Sequence, residues 1–455
     1  MDDKITVFGG GPAGLAVAYY LTKAGFEVEV LEAAPETGGN CRTIELEGFR
    51  FDTGAHRFHN KDPEVTLDVK ELLREGGLHD VDVPSRLISG NSYFYFPIRP
   101  MNALFSGGAR WTLGVGVDFL RMLARRKGEP PRSFEEHARA TYGTVIAEQF
   151  LLPYTEKLWG LPCEALSPNV GTRRLSGISP LGLLYEVILG KRMKSRHLDG
   201  RFLYPSLGYG SIAQALTRAI GAASIRCGCR IAALEVAGDR ITAYTLADGR
   251  RESVSGPIVC TLPLTVVARM LADHLSAEAS RAAKGLRFRA LRLLFLALDR
   301  PSVSPDGSLY FPSLEVPFTR IHEPRNRSPR MSPPGKTSLL VEFPHFPGEE
   351  VGEMSEDALV RTTLDVLEGY GLVRRADLLF SHSLTLSNAY PVMEIGYEQA
   401  CETILRELAR FRNLRMAGRS GTFFYSHLHD MMRGGRDVAE EMARAQKVSL
   451  GPRGL

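Results

Sequence analysis

A chain of 455 residues that is 44% hydrophobic and 24% charged, with 45 Gly and 27 Pro, is not a disordered, collagen-like or disulfide-stapled protein. Its formal net charge of +4 is spread out, with only short basic clusters such as Arg121, Arg125, Arg126 and Lys127, which excludes the footprint of nucleic-acid binding. The six cysteines (Cys41, Cys163, Cys227, Cys229, Cys260, Cys401) lack zinc or thioredoxin-like spacing, so no metal site is expected and free thiols in a reducing compartment fit.

Ile5-Thr6-Val7-Phe8 predicts a strand, Gly9 to Gly14 a glycine-rich turn, Leu15 to Lys23 a helix and Phe26 to Leu31 a second strand, together a βαβ unit. A helix is predicted over 64–76 and an aromatic strand over Ser92 to Ile98, closed by Pro97 and Pro100. Apolar residues recur at helical spacing from Met101 to about Arg126, interrupted at Gly107-Gly108. This reads as part of an internal helical domain, with amphipathic contact to a membrane surface as the alternative. Residues 133–220 are mainly helical by periodicity, with a loop near 195–210. Short strands follow at 225–231, 233–236, 240–246 and 253–260, and strands return at 291–298 and 338–343. Helices are predicted over 355–370 and 396–410, and a glycine-rich turn leads into a last helix over 418–445. No signal peptide and no run of 18 apolar residues is read, so a cytoplasmic protein without a transmembrane segment is expected.

Gly9, Gly11 and Gly14 stand at dinucleotide-binding spacing between strand and helix. The first permits the tight turn, the second lets backbone approach a pyrophosphate, and the third lets helix and strand pack closely. The helix N-terminus then offers unpaired N–H groups to phosphates. Ala18 and Leu21 supply the packing face, and Glu32 closes the second strand 18 residues after Gly14, where a carboxylate can accept from both ribose hydroxyls of an adenosine.

The following stretch, Ala33 to Asn40 with Gly38-Gly39, resembles the extension found in flavoproteins of the amine oxidase type, where a Gly-Gly pair runs along the flavin pyrophosphate. Asn40 stands where many relatives carry Arg, and Arg42, two residues on, is expected by the resemblance to pair with the cofactor phosphate, since a guanidinium matches two phosphate oxygens at once. Asn413 to Gly421 resembles the C-terminal flavin motif of the same superfamily, with Gly418 and Arg419 at the cofactor. Cys227 to Ile231 and Val259 to Pro263 are similar to the β-stranded insert whose backbone touches the adenine, which places Ile231 there. The resemblance implies an α/β fold with a Rossmann-type (GR2-like) FAD-binding domain over 1–85, 200–265 and 395–445. It also implies a mixed-sheet and helical substrate-binding domain over 86–199 and 266–394, its helical part about 101–199. FAD would be held non-covalently, since the C-terminal motif carries no cysteine.

On the substrate side, Gly54 to Asn60 resembles the histidine loop of UDP-galactopyranose mutases, which makes His56 and His59 the catalytic candidates. Pro153 to Gly160, with Tyr154 and Trp159, is similar to the segment those mutases use for the nucleotide. Arg173, Arg174, Arg289, Tyr390 and Tyr425 resemble their diphosphate contacts. Trp159 also reads as core, and Arg173 and Arg174 as solvated surface. Arg57 and Asn60 depart from the mutase loop, and Tyr390-Pro391-Val392 and Gly418 to Tyr425 look equally like the protoporphyrinogen-oxidase-like group. The expectation is an FAD-dependent oxidoreductase of the amine oxidase superfamily acting on a small or glycosylated substrate. The alternatives are a redox-neutral mutase acting on a sugar nucleotide and a non-catalytic flavin-binding scaffold.

Overall fold

The structure is a computed structural model that describes residues 4–74, 77–90, 92–96, 100–124, 129–174 and 201–449, with backbone alone in 100–106, 172–174 and 446–449. Five parallel strands form one sheet in the order Leu414–Met416, Ile258–Cys260, Ile5–Phe8, Val28–Leu31, Ile225–Arg226. Ile5–Phe8 is apolar but for Thr6 and wholly buried, as a strand covered on both faces must be. On one face lie the helices Pro12–Lys23, Gly210–Ile220 and Leu428–Ser449, joined through Leu15, Leu21, Leu216, Met432 and Val438. The other face carries the antiparallel strands Ile231–Ala237, Arg240–Leu246 and Arg251–Ser253, where Phe8 meets Tyr244 edge-on at 5.5 Å.

A second, seven-stranded sheet runs in the order Leu378–Pro391, Phe288–Leu298, Thr337–His345, Arg320–His322, Ser308–Tyr310, Ser85–Ser89, Ser92–Phe96. It is antiparallel except for the parallel pairing of Ser308–Tyr310 with Ser85–Ser89. Phe288–Leu298 is buried from its second residue onward, and its sequence is apolar but for Arg289 and Arg292. The helices Phe134–Tyr142 and Asn169–Arg174 flank a helical stretch over 144–159 that widens into a π-turn at Ala147–Leu151. The break expected at Gly107-Gly108 falls on Gly108, whose φ of 75 interrupts the helix Pro100–Ala124.

Several elements differ from expectation. Arg201–Pro205, within the expected loop, is a strand paired antiparallel to Leu78–Asp82; its apolar core, Phe202-Leu203-Tyr204, is masked in sequence by the following Ser-Leu-Gly punctuation. Thr43–Leu46 and Phe49–Asp52 form a hairpin through a two-residue turn in which Glu47 and Gly48 both take positive φ. Leu378–Pro391 is a 14-residue edge strand whose mixed polar sequence hides it, because one side faces solvent. The remainder of the expected 133–220 helical region, 175–200, lies outside the described residues.

Candidate active site

The parallel sheet delivers chain to one place. A cavity of about 620 Å³ opens at the carboxyl ends of its strands, where Gly9 follows Ile5–Phe8, Glu32 follows Val28–Leu31, Thr261 follows Ile258–Cys260, and Arg419 lies just beyond Leu414–Met416. Open parallel sheets place their ligands at this end. Gly9 takes a φ of 101, and a Cβ at Gly14 would lie 1.8 Å from the Gly9 carbonyl oxygen, so neither position admits a side chain.

The helix Pro12–Lys23 begins at Gly11 with no side chain capping it and with Pro12 in its first turn. Its open end lines the cavity through Gly11, Pro12 and Ala13 and offers uncapped N–H groups to an anion. The Glu32 carboxylate is pinned by the N–H groups of Gly10 at 2.6 Å and Ala34 at 2.8 Å. Gly39, Asn40 and Cys41 continue the wall. The Cys41 thiol is pushed up to about 12 by burial and by the nearby Asp52 charge, which keeps it a poor nucleophile. Among the described residues lining the cavity, Glu32 is the sole carboxylate, against Arg57, Lys61, Arg320 and Arg419. An uncapped helix end, a glycine cradle and this charge balance fit a dinucleotide with a diphosphate at its centre.

His56 stacks on Tyr209 at 4.9 Å, and its Nε2 lies 2.8 Å from the Asn40 carbonyl oxygen. Because a carbonyl can only accept, Nε2 carries the proton and Nδ1 is left as the acceptor. The loop is held on both sides: the Ala55 N–H donates to Glu342 at 3.1 Å, and Arg327 donates to the His56 carbonyl at 2.7 Å. Burial lowers the His56 pKa, with Asp52 opposing that shift. His59, facing His427 at 5.9 Å, is pushed down to about 3 by burial and by the His427, Arg57, Lys61 and His429 charges. Both rings are therefore neutral at neutral pH.

Tyr154, Trp159, Tyr390 and Tyr425 line the same cavity as the histidine loop. Trp159 is 1% exposed and its buried indole N–H has no hydrogen-bond partner among the described residues. Arg419 lies over the rings of Tyr425 at 4.4 Å and Tyr390 at 5.3 Å and donates to the Ala389 carbonyl. Phe134, Ile146, Phe150 and Val170 bring an apolar wall from the helical part.

Other sequence candidates lie off the cavity wall. Arg289 is 4% exposed, paired with Glu349 at 2.9 Å and bonded to the carbonyls of Leu158, Lys157 and Pro344, so it closes the end of the helix Leu152–Trp159. A cation suits that end of a helix, where unpaired carbonyls collect. Arg42 is bonded to the Gly39 carbonyl and to Glu36. Ile231 is buried in the core shared with Phe8 and Tyr244. Gly14, Gly38 and Gly418 sit behind the wall: Gly38 donates to the Gly10 carbonyl at 2.8 Å, and Gly418 abuts Ala13. The side chains of Arg173 and Arg174 lie outside the described residues.

The structure adds residues without a sequence motif. Arg320 lines the cavity and is held bidentate by the buried Glu342, at 2.6 Å and 2.7 Å. Tyr209, Tyr310 and Asn388 also line it. A charged residue in the short strand Arg320–His322 carries no local signal of its partner 22 positions away.

The family model for flavin containing amine oxidoreductases matches residues 12–443. The chain is 26% identical over 378 residues to chloroplastic protoporphyrinogen oxidase 1 of Arabidopsis thaliana, covering 73% of this chain and 68% of that protein. Matches to further curated relatives are shorter, spanning between 9% and 21% of those proteins. A reduced UDP-galactopyranose mutase superposes with a TM-score of 0.85 at 21% identity, over 97% of this chain and 96% of its own. A putrescine oxidase variant superposes with a TM-score of 0.68 at 14% identity, over 98% and 99%. At these identities the two structures establish likeness of fold. With the family model spanning nearly the whole chain, this protein belongs to the flavin-containing amine oxidoreductases, and its cofactor is non-covalently held FAD.

Proposed function

We propose that the chain is an FAD-dependent oxidoreductase that oxidises a small or glycosylated substrate held against the histidine loop. The observation that carries this reading is the shared cavity: the turn after Ile5–Phe8, the turn at Arg419 and the His56 loop all open into it. In this reading the segments 1–85, 200–265 and 395–445 bind the cofactor and the rest binds substrate. Gly9, Gly11 and the start of the helix Pro12–Lys23 receive the diphosphate, Glu32 the adenosine ribose, and Gly39 and Asn40 the chain leading to the ring. The chemistry that FAD supplies when bound is acceptance of a hydride.

His56, with Nε2–H fixed on Asn40, presents its unprotonated Nδ1 and keeps a constant tautomer, while His59, held neutral, is a weak base suited to accepting a hydrogen bond from substrate. Phe134, Ile146 and Phe150 exclude water from one wall. The test is anaerobic incubation of the yellow protein with panels of amines, amino acids, porphyrinogens and polyol or sugar compounds. Bleaching of the flavin by at least one panel is expected. If the purified protein carries no flavin and binds none, the reading is wrong.

A redox-neutral mutase acting on a sugar nucleotide is the second reading, favoured by Tyr154, Trp159, Tyr390 and Arg419 lining the cavity together. The engagement of Arg289 with Glu349 leaves it one arginine fewer for a diphosphate. Dithionite-reduced protein incubated with UDP-hexoses distinguishes the two, since a furanose product arises in the second alone.

A further inference from the structure

We propose that Arg57, beside Arg320, forms a subsite for an oxyanion group of the substrate, a carboxylate or a phosphate. The inference rests on the FAD-enzyme reading above and names the substrate class for the same cavity. Arg57 follows His56 in the loop and lines the cavity. Its Nη2 donates to Ser85 Oγ at 2.9 Å and its guanidinium lies 5.1 Å from the centre of the Phe202 ring. Among the described residues no carboxylate forms an ion pair with it. A guanidinium offers five donors in a planar fork, and one bond to a hydroxyl leaves that fork largely unused.

The neighbouring cations are also short of carboxylates. Arg327 donates to the His56 carbonyl, but among the described residues its buried Nε and Nη2 have no hydrogen-bond partner and it forms no ion pair. Arg320 is matched by Glu342. The nearby Asp52 carboxylate is engaged by Thr43 Oγ1, the Tyr204 hydroxyl and the Tyr209 N–H. Three guanidiniums thus face two carboxylates, in a region where an unmatched charge is costly. An incoming carboxylate or phosphate would complete the balance, and the fork geometry suits either. The diphosphate of the cofactor has donors of its own at the start of the helix Pro12–Lys23. Arg57, in contrast, is tied to Ser85 of the seven-stranded sheet and so belongs to the substrate side.

The experiment titrates FAD-loaded protein with benzoate, with inorganic pyrophosphate and with neutral benzamide, following the flavin absorption spectrum, in the natural protein and in Arg57→Met. Saturable perturbation is expected from at least one anion and not from benzamide. In Arg57→Met at equal FAD content that anion should bind about 10- to 100-fold more weakly. Benzoate and pyrophosphate separate the carboxylate from the phosphate source. Equal anion affinity in the two proteins overturns the proposal, as does loss of FAD from a folded Arg57→Met, which would assign the cation to the cofactor. Should Arg57→Met not fold, crystals of the natural protein soaked in bromide decide: a halide on the Arg57 guanidinium supports the subsite, and its absence there overturns it. A protein without flavin would fail the FAD reading, and the bromide soak would still test the subsite.

Discussion

Gly418 and Ala13 stand against each other so closely that a Cβ at position 418 would lie 2.4 Å from the Ala13 Cβ. Residues 405 apart in sequence thus bring the opening and closing turns of the parallel sheet into contact at the cavity. Gly418 also takes a φ of 76, which side chains disfavour. Sterics and backbone both require glycine there.

Gly418→Ala is therefore expected to push the two turns apart and weaken FAD binding by about 10- to 100-fold, the equivalent of roughly 1–3 kcal/mol of strain. Titrating the deflavinated protein with FAD by fluorescence checks this. Gly434→Ala is the control. It lies within the helix Leu428–Ser449, and a Cβ there meets nothing within 4 Å, so FAD affinity should hold while helix propensity improves stability by up to about 1 kcal/mol.

These turns were legible in the sequence because backbone geometry imposes residue type: a tight strand-to-helix turn demands glycines at fixed spacing, and Glu32 follows at the end of the next strand. Arg320 and Glu342 were not legible. Their contact is set by the register of Arg320–His322 against Thr337–His345, and neither residue stands in a local motif. Arg289 is the converse case. Its charge stands out in sequence, but carbonyls at a helix end and Glu349 fix where it lies. Leu378–Pro391 escaped notice because an edge strand need not alternate cleanly when one side meets solvent.

Glu342 joins Arg320 to the Ala55 N–H, so it neutralises a partly buried cation and fixes the histidine loop at once. Glu342→Gln should destabilise the protein by about 3–5 kcal/mol, because breaking a buried pair leaves the partner charge uncompensated. Replacing both residues, Arg320→Met with Glu342→Met, removes the stranded charge and should recover a large part of that loss. Urea unfolding of the two variants beside the natural protein checks the order. If Glu342→Gln unfolds at the same urea concentration as the natural protein, the pair does not hold this wall.

His59 makes stability depend on pH with a definite sign. Burial and the neighbouring His427, Arg57, Lys61 and His429 bring its pKa in the folded protein down from 6.5 to about 3. Between those values the unfolded chain binds a proton that the folded protein refuses, so stability is present above about pH 6.5 and is lost as pH falls toward 3. From pH 7 to pH 5 this one group accounts for at most about 2 kcal/mol, since solvent reaching the half-buried ring reduces the shift. His56 and His322, also lowered by burial, add in the same direction. His59→Asn should therefore lose less stability than the natural protein between pH 7 and pH 5, measured by urea unfolding at each pH. Parallel losses in the two proteins would mean that the ring titrates alike folded and unfolded, and the lowering of its pKa by burial and neighbouring cations would have to be given up.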